Sequence, residues 1–437
     1  MEMKSLTLNG KKYTSFVDET ARASGGSGTG GSADISNPPA TQVRSVPFGT
    51  VIDSCQADTK FNAMTVGTQV ATLTHDTEDY IYGTQSIKFT NCIQLDNLDI
   101  NPAGKQLRIR FKVNSIDYDV ANNKYAYLGL YAADSKNFNN FAIWRIFDSA
   151  LLPTAENGKN KSSIRLGEWH DLVLPLSGVE NIAPLANLTT IGTLRFRFMD
   201  GSGEANIQSV MVIDAEKPKG IVSFTFDDGL ITQYTKAAPI LASRGIPATV
   251  YIIHDLVGVS EGCVTEEQLH ELKNVYGWDI ESHWGYEMDS MTEEEVENAF
   301  YETKKWIQEH GLGRGDHLAY AGGVHNDTIL KVARKYFTTA RTIDYSVMNG
   351  VKSTSISTPH QLNAVTGVGN NPSGVAVTKI KSLIDKVAQY GGWLILVFHS
   401  IGDTPTAMFC KESDFVDLVD YAVASGVEIK TVADVVR

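Results

Sequence analysis

Two adjacent carboxylates, Asp227 and Asp228, end the run Gly220-Ile221-Val222-Ser223-Phe224-Thr225-Phe226 and are followed at once by Gly229. A β-type run that delivers two carboxylates and a glycine is poorly suited to a core strand, because a buried carboxylate is costly unless paired or bound to a cation. Side by side, the two suit different tasks, one as proton acceptor and one as metal ligand. Trp278-Asp279-Ile280-Glu281-Ser282-His283 is a second short strand, tipped by a histidine and followed four residues later by Glu287. Leu318-Ala319-Tyr320-Ala321-Gly322-Gly323 ends a third in two glycines, and Trp393-Leu394-Ile395-Leu396-Val397-Phe398-His399 is an apolar strand with a histidine at its tip. Carboxylates, imidazoles and a close-approach glycine are the parts a hydrolysis needs: an activated water, a stabilised oxyanion and a proton for the leaving group.

Helices must hold these strand tips together. Ala237, Ile240 and Leu241 form one apolar face, closed by Gly245. Thr265 with Gln268, and Thr292 with Glu295, are capping boxes ahead of apolar helical periods. Further periods hold Ile329, Leu330 and Ala333, then Ile380, Leu383, Ile384 and Val387, then Phe415, Leu418, Val419 and Ala422. Strands alternating with helices predict a parallel sheet or barrel. In a parallel barrel the chemistry collects at the C-terminal strand ends, so one rim would gather Asp227, Asp228, His283, Gly322 and His399.

With Thr225-Phe226-Asp227-Asp228-Gly229 and the His-tipped strands downstream, residues from about 218 to 437 resemble the polysaccharide deacetylase family. These are the metal-dependent carbohydrate esterases of family 4, which share a chitooligosaccharide-deacetylase homology domain. The resemblance implies a distorted, incomplete (β/α) barrel that removes acetyl groups from a glycan. It implies Asp227 as general base and His399 as general acid, with a backbone N–H near Gly322 on the oxyanion. It implies a divalent metal, zinc first, on Asp228 and His283. Glu287 stands where the family has a second histidine ligand, and its charge would favour harder metals somewhat. Two other positions depart from the pattern: Ala319 where an arginine is usual and Ala321 where a proline is. Arg341, after Phe337-Thr338-Thr339-Ala340, is the candidate for the missing positive charge. Trp284, Tyr286 and Tyr320 are the candidate substrate-binding residues, with packing an equal alternative for Trp284 and Tyr286. His254 and His325 carry the reading of incidental histidines, the latter preceding a helix cap. Two functions remain open: a deacetylase, and a catalytically silent receptor-binding protein that has kept the fold and the sugar cleft.

Outside this region the chain changes character. Residues from about 45 to 216 hold many short strands split by Asn/Asp/Gly turns, such as Leu107–Val113, Tyr125–Tyr131, Trp169–Leu174, Leu194–Phe198 and Gln208–Ile213, and predict a β-sandwich. It resembles the jelly-roll carbohydrate-binding modules; a rigid spacer or trimerisation unit is the alternative reading. Trp144, Tyr118 and Tyr131 are its candidate sugar-stacking aromatics. Residues 1–23 predict a hairpin around Asn9-Gly10 followed by a helical turn, and residues 24–44 a Gly/Ser/Pro linker. That pairing resembles, at low specificity, the attachment end of a phage tail or baseplate protein. It implies other tail proteins as partners, a virion location with an extracellular one as alternative, and admits a homotrimer. The four domains are thus 1–23, 24–44, 45–216 and 217–437.

The chain has 437 residues and a formal net charge of −13. With no basic run, that balance argues against nucleic acid and anionic membranes as partners. No apolar stretch reaches the roughly 18 residues of a membrane span, and the N-terminus shows no signal-peptide core. The four cysteines, Cys55, Cys92, Cys263 and Cys410, have no metal-type spacing, so free thiols are expected, with a Cys55–Cys92 disulfide as alternative.

Overall fold

The computed structural model describes residues 2–8, 11–17, 46, 49–117, 125–152, 159–183, 189–215, 219–286, 288–344, 346–369, 375–402 and 408–436. Tyr118, Glu287, the predicted turn at 18–23 and the 24–44 linker lie outside them. At the N-terminus Glu2–Leu8 pairs antiparallel with Lys11–Val17, Leu8 opposite Lys11.

Residues 50–214 form two antiparallel sheets around one core. One sheet runs Asn181–Ala183, Phe141–Asp148, Tyr127–Ala133, Thr193–Met199, Cys92–Leu95, Asn62–Ala63; the other runs Trp169–Leu174, Lys105–Ile116, Gly203–Asp214, Ser86–Thr90, Thr72–Asp76. Apolar residues from both, among them Phe89, Phe111, Leu130, Trp144 and Phe196, fill the space between. This burial decides two of the expected sugar-stacking residues. Trp144 is inside the core with its indole N–H on the Pro175 carbonyl, 2.7 Å, and Tyr131 is buried. Neither can stack on a sugar. All four cysteines are buried free thiols, so the Cys55–Cys92 alternative falls.

The C-terminal half is built on parallel strands in the order Thr339–Arg341, His317–Ala319, Asp279–His283, Thr249–Ile252, Ile221–Asp228, Trp393–Phe398, with Val351–Lys352 antiparallel to the last. The two open edges are joined by residues 362–365. Leu362 donates to Ala340 O and Val365 to Ile395 O, both at 2.9 Å, so this irregular segment closes the ring where a regular strand is missing.

Strand alternation assigns the two faces. Val222, Phe224, Phe226, Leu394, Leu396 and Phe398 pack outward on helix residues such as Leu241, Leu269, Ile384 and Phe415. Leu318 and Ala340 face outward too, onto Val296, Phe300, Ile329 and Ala333 of the helices Glu293–Glu309 and Asp327–Tyr336. Both predicted capping boxes are formed. The residues left to face inward are Ile221, Ser223, Thr225, Asp227; Thr249, Tyr251; Asp279, Glu281, His283; His317, Ala319; Thr339, Arg341; and Trp393, Ile395, Val397. The interior is therefore unusually polar, and its groups are bonded in turn. The Trp393 indole donates to Ser223 Oγ at 2.9 Å, Thr225 Oγ1 donates to Leu396 O at 2.9 Å, and His317 Nδ1 meets Thr339 Oγ1 at 2.8 Å. Val432, Val435 and Val436 of the C-terminal helix plug the end where the strands begin.

Candidate active site

The top interior layer, at the C-terminal strand ends, brings together Asp227, His283, Arg341 and, just beyond its strand, His399. Asp227 is 4% exposed and receives a hydrogen bond at Oδ1 from Arg341 Nη2. Its other oxygen, Oδ2, lies 3.8 Å from His399 Nε2. Burial alone would push the Asp227 carboxyl up, but Arg341, His283 and His399 together hold it below the usual carboxylate range. Arg341 is itself 1% exposed and lies over the Tyr251 ring at 4.9 Å from its centroid. The positive charge that Ala319 lacks thus arrives from the neighbouring strand.

Asp228 should point outward, being the even-numbered successor to Phe226. Its φ of 71° breaks the alternation. The left-handed conformation is costly for a residue other than glycine, and it persists where the surroundings enforce it. Re-aimed in this way, Asp228 Oδ1 comes to 3.4 Å from His283 Nε2. His283 Nδ1 is held by the Ala319 carbonyl at 2.7 Å, so Nδ1 carries the proton toward that oxygen and Nε2 faces the carboxylate. Burial would lower the His283 pKa, yet the bond to Asp228 and the Asp227 charge raise it above the ordinary value. An imidazole oriented by a carbonyl at one nitrogen and aimed at a carboxylate with the other is the usual arrangement of a metal-ligating histidine. Asp228 and His283 therefore fit two positions of a divalent site. Among the described residues no third His, Cys, Asp or Glu joins them; Glu287, the expected third ligand, lies outside those residues.

Two further groups complete the site. Gln233, fully buried in the π-helical turn Gln233–Ala237, donates from Nε2 to Asp227 O at 2.6 Å and His399 O at 3.1 Å, tying base and acid backbones together. Sequence reasoning missed it; its signal was a glutamine six residues after Asp227, where a helix face would otherwise be apolar. The glycine turn after His317–Ala319 is the other. Gly322 is exposed with φ 58°, and at Gly323 (φ 72°) an added Cβ would meet Ile343 Cγ1 at 2.6 Å.

Other expectations fare differently. Tyr320 is buried: its hydroxyl donates to His360 O at 3.0 Å and its ring stacks on His325 at 5.3 Å, so it serves packing and cannot contact substrate. Trp284 and Tyr286 are half-buried near the rim. His254 is wedged between Trp284 and Trp306 at 6.0 and 6.2 Å. His325 is buried directly before Asn326, whose side chain caps the helix Asp327–Tyr336.

Residues 214–340 match the family model described as polysaccharide deacetylase. A putative polysaccharide deacetylase, YxkH, of Bacillus subtilis (strain 168) is 31% identical over 130 residues, 29% of this chain and 46% of that protein. The chain thus spans less than half the length of that curated relative. Among solved structures, the Xyl-CE4 domain of a multidomain xylanase from the hindgut metagenome of Trinervitermes trinervoides is similar at 16% identity over 50% of this chain and 89% of that one, TM-score 0.35. Streptococcus pyogenes deacetylase PplD in complex with acetate is similar at 25% identity over 28% and 55% of the two chains, TM-score 0.27. At such TM-scores the structural likenesses carry no argument of their own.

Proposed function

We propose that this chain is a metal-dependent hydrolase that removes acetyl groups from bacterial cell-surface polysaccharide or peptidoglycan. The observation that carries the reading is the division of labour between the adjacent carboxylates: Asp227 paired with Arg341 and facing His399, Asp228 turned out of strand register to face His283. The polysaccharide deacetylase match over residues 214–340 supports it.

Asp228 and His283 would hold the metal. When bound, a divalent cation lowers the pKa of a coordinated water and polarises the acetyl carbonyl. The chain's own groups do the rest. With Oδ1 committed to Arg341, Asp227 has Oδ2 free to accept the proton of the attacking water. Arg341 keeps that carboxylate ionised and fixes its rotamer. His399 Nε2, facing the same oxygen, is placed to deliver a proton to the departing amine or alkoxide. The exposed backbone beside Gly322 is open to the oxyanion. Residues 1–44 are assigned by this proposal to attachment, with phage tail or baseplate proteins as the partners. A virion location goes with that assignment, which also admits a homotrimer; an extracellular location is the alternative.

A second reading is favoured by the departures from the family pattern at Glu287, Ala319 and Ala321. It makes the barrel a glycan-binding protein without turnover. Acetate release from a panel of acetylated wall and capsular glycans, wild type against Asp228→Ala, separates the two. Release that vanishes in the variant establishes the enzyme; no release with divalent metal supplied establishes the silent binder.

A further inference from the structure

The barrel has an uncovered side. Among the described residues there is no α-helix between Arg341 and Val377, so the closing segment lacks the helical layer that backs every other strand. The sandwich fills that place. Met348, between Arg341 and the closing segment 362–365, is buried in the sandwich core, and Gln106 accepts a hydrogen bond from Ser353.

One sandwich loop, Asn160 to Arg165, reaches toward the rim. Ser163 donates to Asp344 Oδ2 twice, from its backbone N–H and from Oγ, both at 2.8 Å. Asp344 is 0% exposed, and its Oδ1 accepts from the N–H and hydroxyl of Ser346 at 3.0 and 2.8 Å. The loop also accepts from His325 N at Asn160 O, 3.2 Å, and from Asn363 Nδ2 at Ser163 Oγ, 3.2 Å. Arg165 pairs with Asp327 at the start of the next helix. The same loop is therefore bonded to the segment after Arg341, to the segment after the Gly322-Gly323 turn and to the strand that closes the ring.

We infer that Ser163, acting through Asp344, is a positioning residue for Arg341, and that the sandwich is a working part of the barrel's site. The chain of contact is short. Asp344 N donates to Thr342 Oγ1 at 3.1 Å, Thr342 N donates to Leu362 O at 2.9 Å, and between them they fix the backbone immediately after Arg341. Arg341 needs this support, because its Nε and Nη1 have no partner among the described residues and its one side-chain bond is to Asp227. With one hydrogen bond and the Tyr251 ring as its contacts, the guanidinium depends on where its backbone places it. Asp344 is a buried carboxylate that accepts four hydrogen bonds from Ser163 and Ser346. Ser163 supplies two of these four bonds.

The inference rests on the deacetylase reading only for its kinetic test. In the full chain, Ser163→Ala and Asp344→Asn are expected to lower kcat roughly ten- to a hundredfold with KM unchanged, the signature of a misplaced catalytic group. Ser163→Thr, which keeps both donors, is expected to restore kcat. A second readout does not need turnover: with ¹⁵N-arginine labelling, the Arg341 Nε–H resonance, identified by its loss in Arg341→Lys, is expected to shift in Ser163→Ala and Asp344→Asn and to stay in place in Ser163→Thr. If wild type releases no acetate, the functional reading fails and this resonance still decides the positioning. A resonance unmoved in both variants, whether or not their Tm falls, overturns the inference.

Discussion

The same barrel interior holds two buried polar layers, and they are built on opposite principles. The lower layer lies where the strands begin. There Glu281 accepts from His317 N at 2.8 Å, Lys304 pairs with Asp316 at 2.6 Å, and Arg314 Nε reaches the other Asp316 oxygen at 2.9 Å. A cavity of about 230 Å³ opens beside these groups. The upper layer is only one interior step away: Glu281 and His283 are two residues apart on one strand. In the lower layer cations and carboxyls are matched among themselves, as structural clusters are. In the upper layer, Asp227 Oδ2 and His283 Nε2 are turned toward groups with which they make no close bond, at 3.8 and 3.4 Å. Proximity and burial do not separate a site from a structural cluster; unspent hydrogen-bonding capacity at the open end does.

The largest effect that tests this contrast is chemical. Asp227→Asn keeps an acceptor for Arg341 and removes the base, so acetate release should fall about a thousandfold or more, together with a stability loss of about 3 kcal/mol from leaving the buried Arg341 without its counter-ion. Steady-state kinetics beside a thermal melt reads both. Acetate release that stays within about tenfold of wild type would mean the upper layer is structural after all.

The next effect falls on stability alone. Lys304 is 0% exposed and also donates to Tyr336 O. Lys304→Met keeps its volume but removes one of the cations at Asp316 and leaves Glu281 beside a less balanced carboxylate. Breaking a buried pair from one side costs about 3 kcal/mol, toward the low end because Arg314 remains. Urea unfolding should show that loss while kcat stays within about twofold.

How far each layer was legible in the sequence follows from the same physics. Asp227, Asp228, His283 and His399 are strand tips, and strand tips are marked by where apolar runs stop. Arg341 was visible as a charge at the end of a run, but its partner was not, because the pairing spans 114 residues. The lower layer was invisible: Glu281 and His317 read as ordinary polar positions until alternation is anchored by knowing which face meets the helices. Tyr320 and Trp144 were misread for the same reason, since an aromatic shows its type in sequence but not its side. The closing segment at 362–365 has too little β-pattern to be read as a strand, and the sandwich loop that meets Asp344 lies 181 residues away from it.

A smaller effect sharpens the contrast through pH. Burial, with Asp279 and then Asp316 nearby, pushes the Glu281 carboxyl well above its usual range. The folded state then holds a proton that the unfolded state releases above about pH 4.5, so this group's contribution to stability falls as pH rises from there to its folded pKa, by about 1.4 kcal/mol per unit. Glu281→Gln keeps an acceptor for His317 N and has no charge to suppress. It should be more stable than wild type at neutral pH, with the difference vanishing near pH 4. An Asp227→Asn chain should show no such gain, because the Asp227 carboxyl is held low, not high.

The smallest effect concerns the edge of the upper layer. Trp284 follows His283 directly, is half-buried, and packs beside Met288 and the residues that line the helix Glu293–Glu309, with its ring 6.0 Å from His254. Its indole N–H has no partner among the described residues. A tryptophan that served packing alone would lose contact area on shortening to phenylalanine, and the fold would feel it. One that stacks on a sugar keeps an aromatic face in Trp284→Phe but covers less of the ring, a difference below about 1 kcal/mol. The stacking role therefore predicts a KM raised about threefold at constant kcat, with the melting temperature unmoved. The packing role predicts a lower melting temperature at constant KM. Because the two outcomes fall on different axes, this modest variant separates a rim residue that meets substrate from one that belongs, like the lower layer, to the fold.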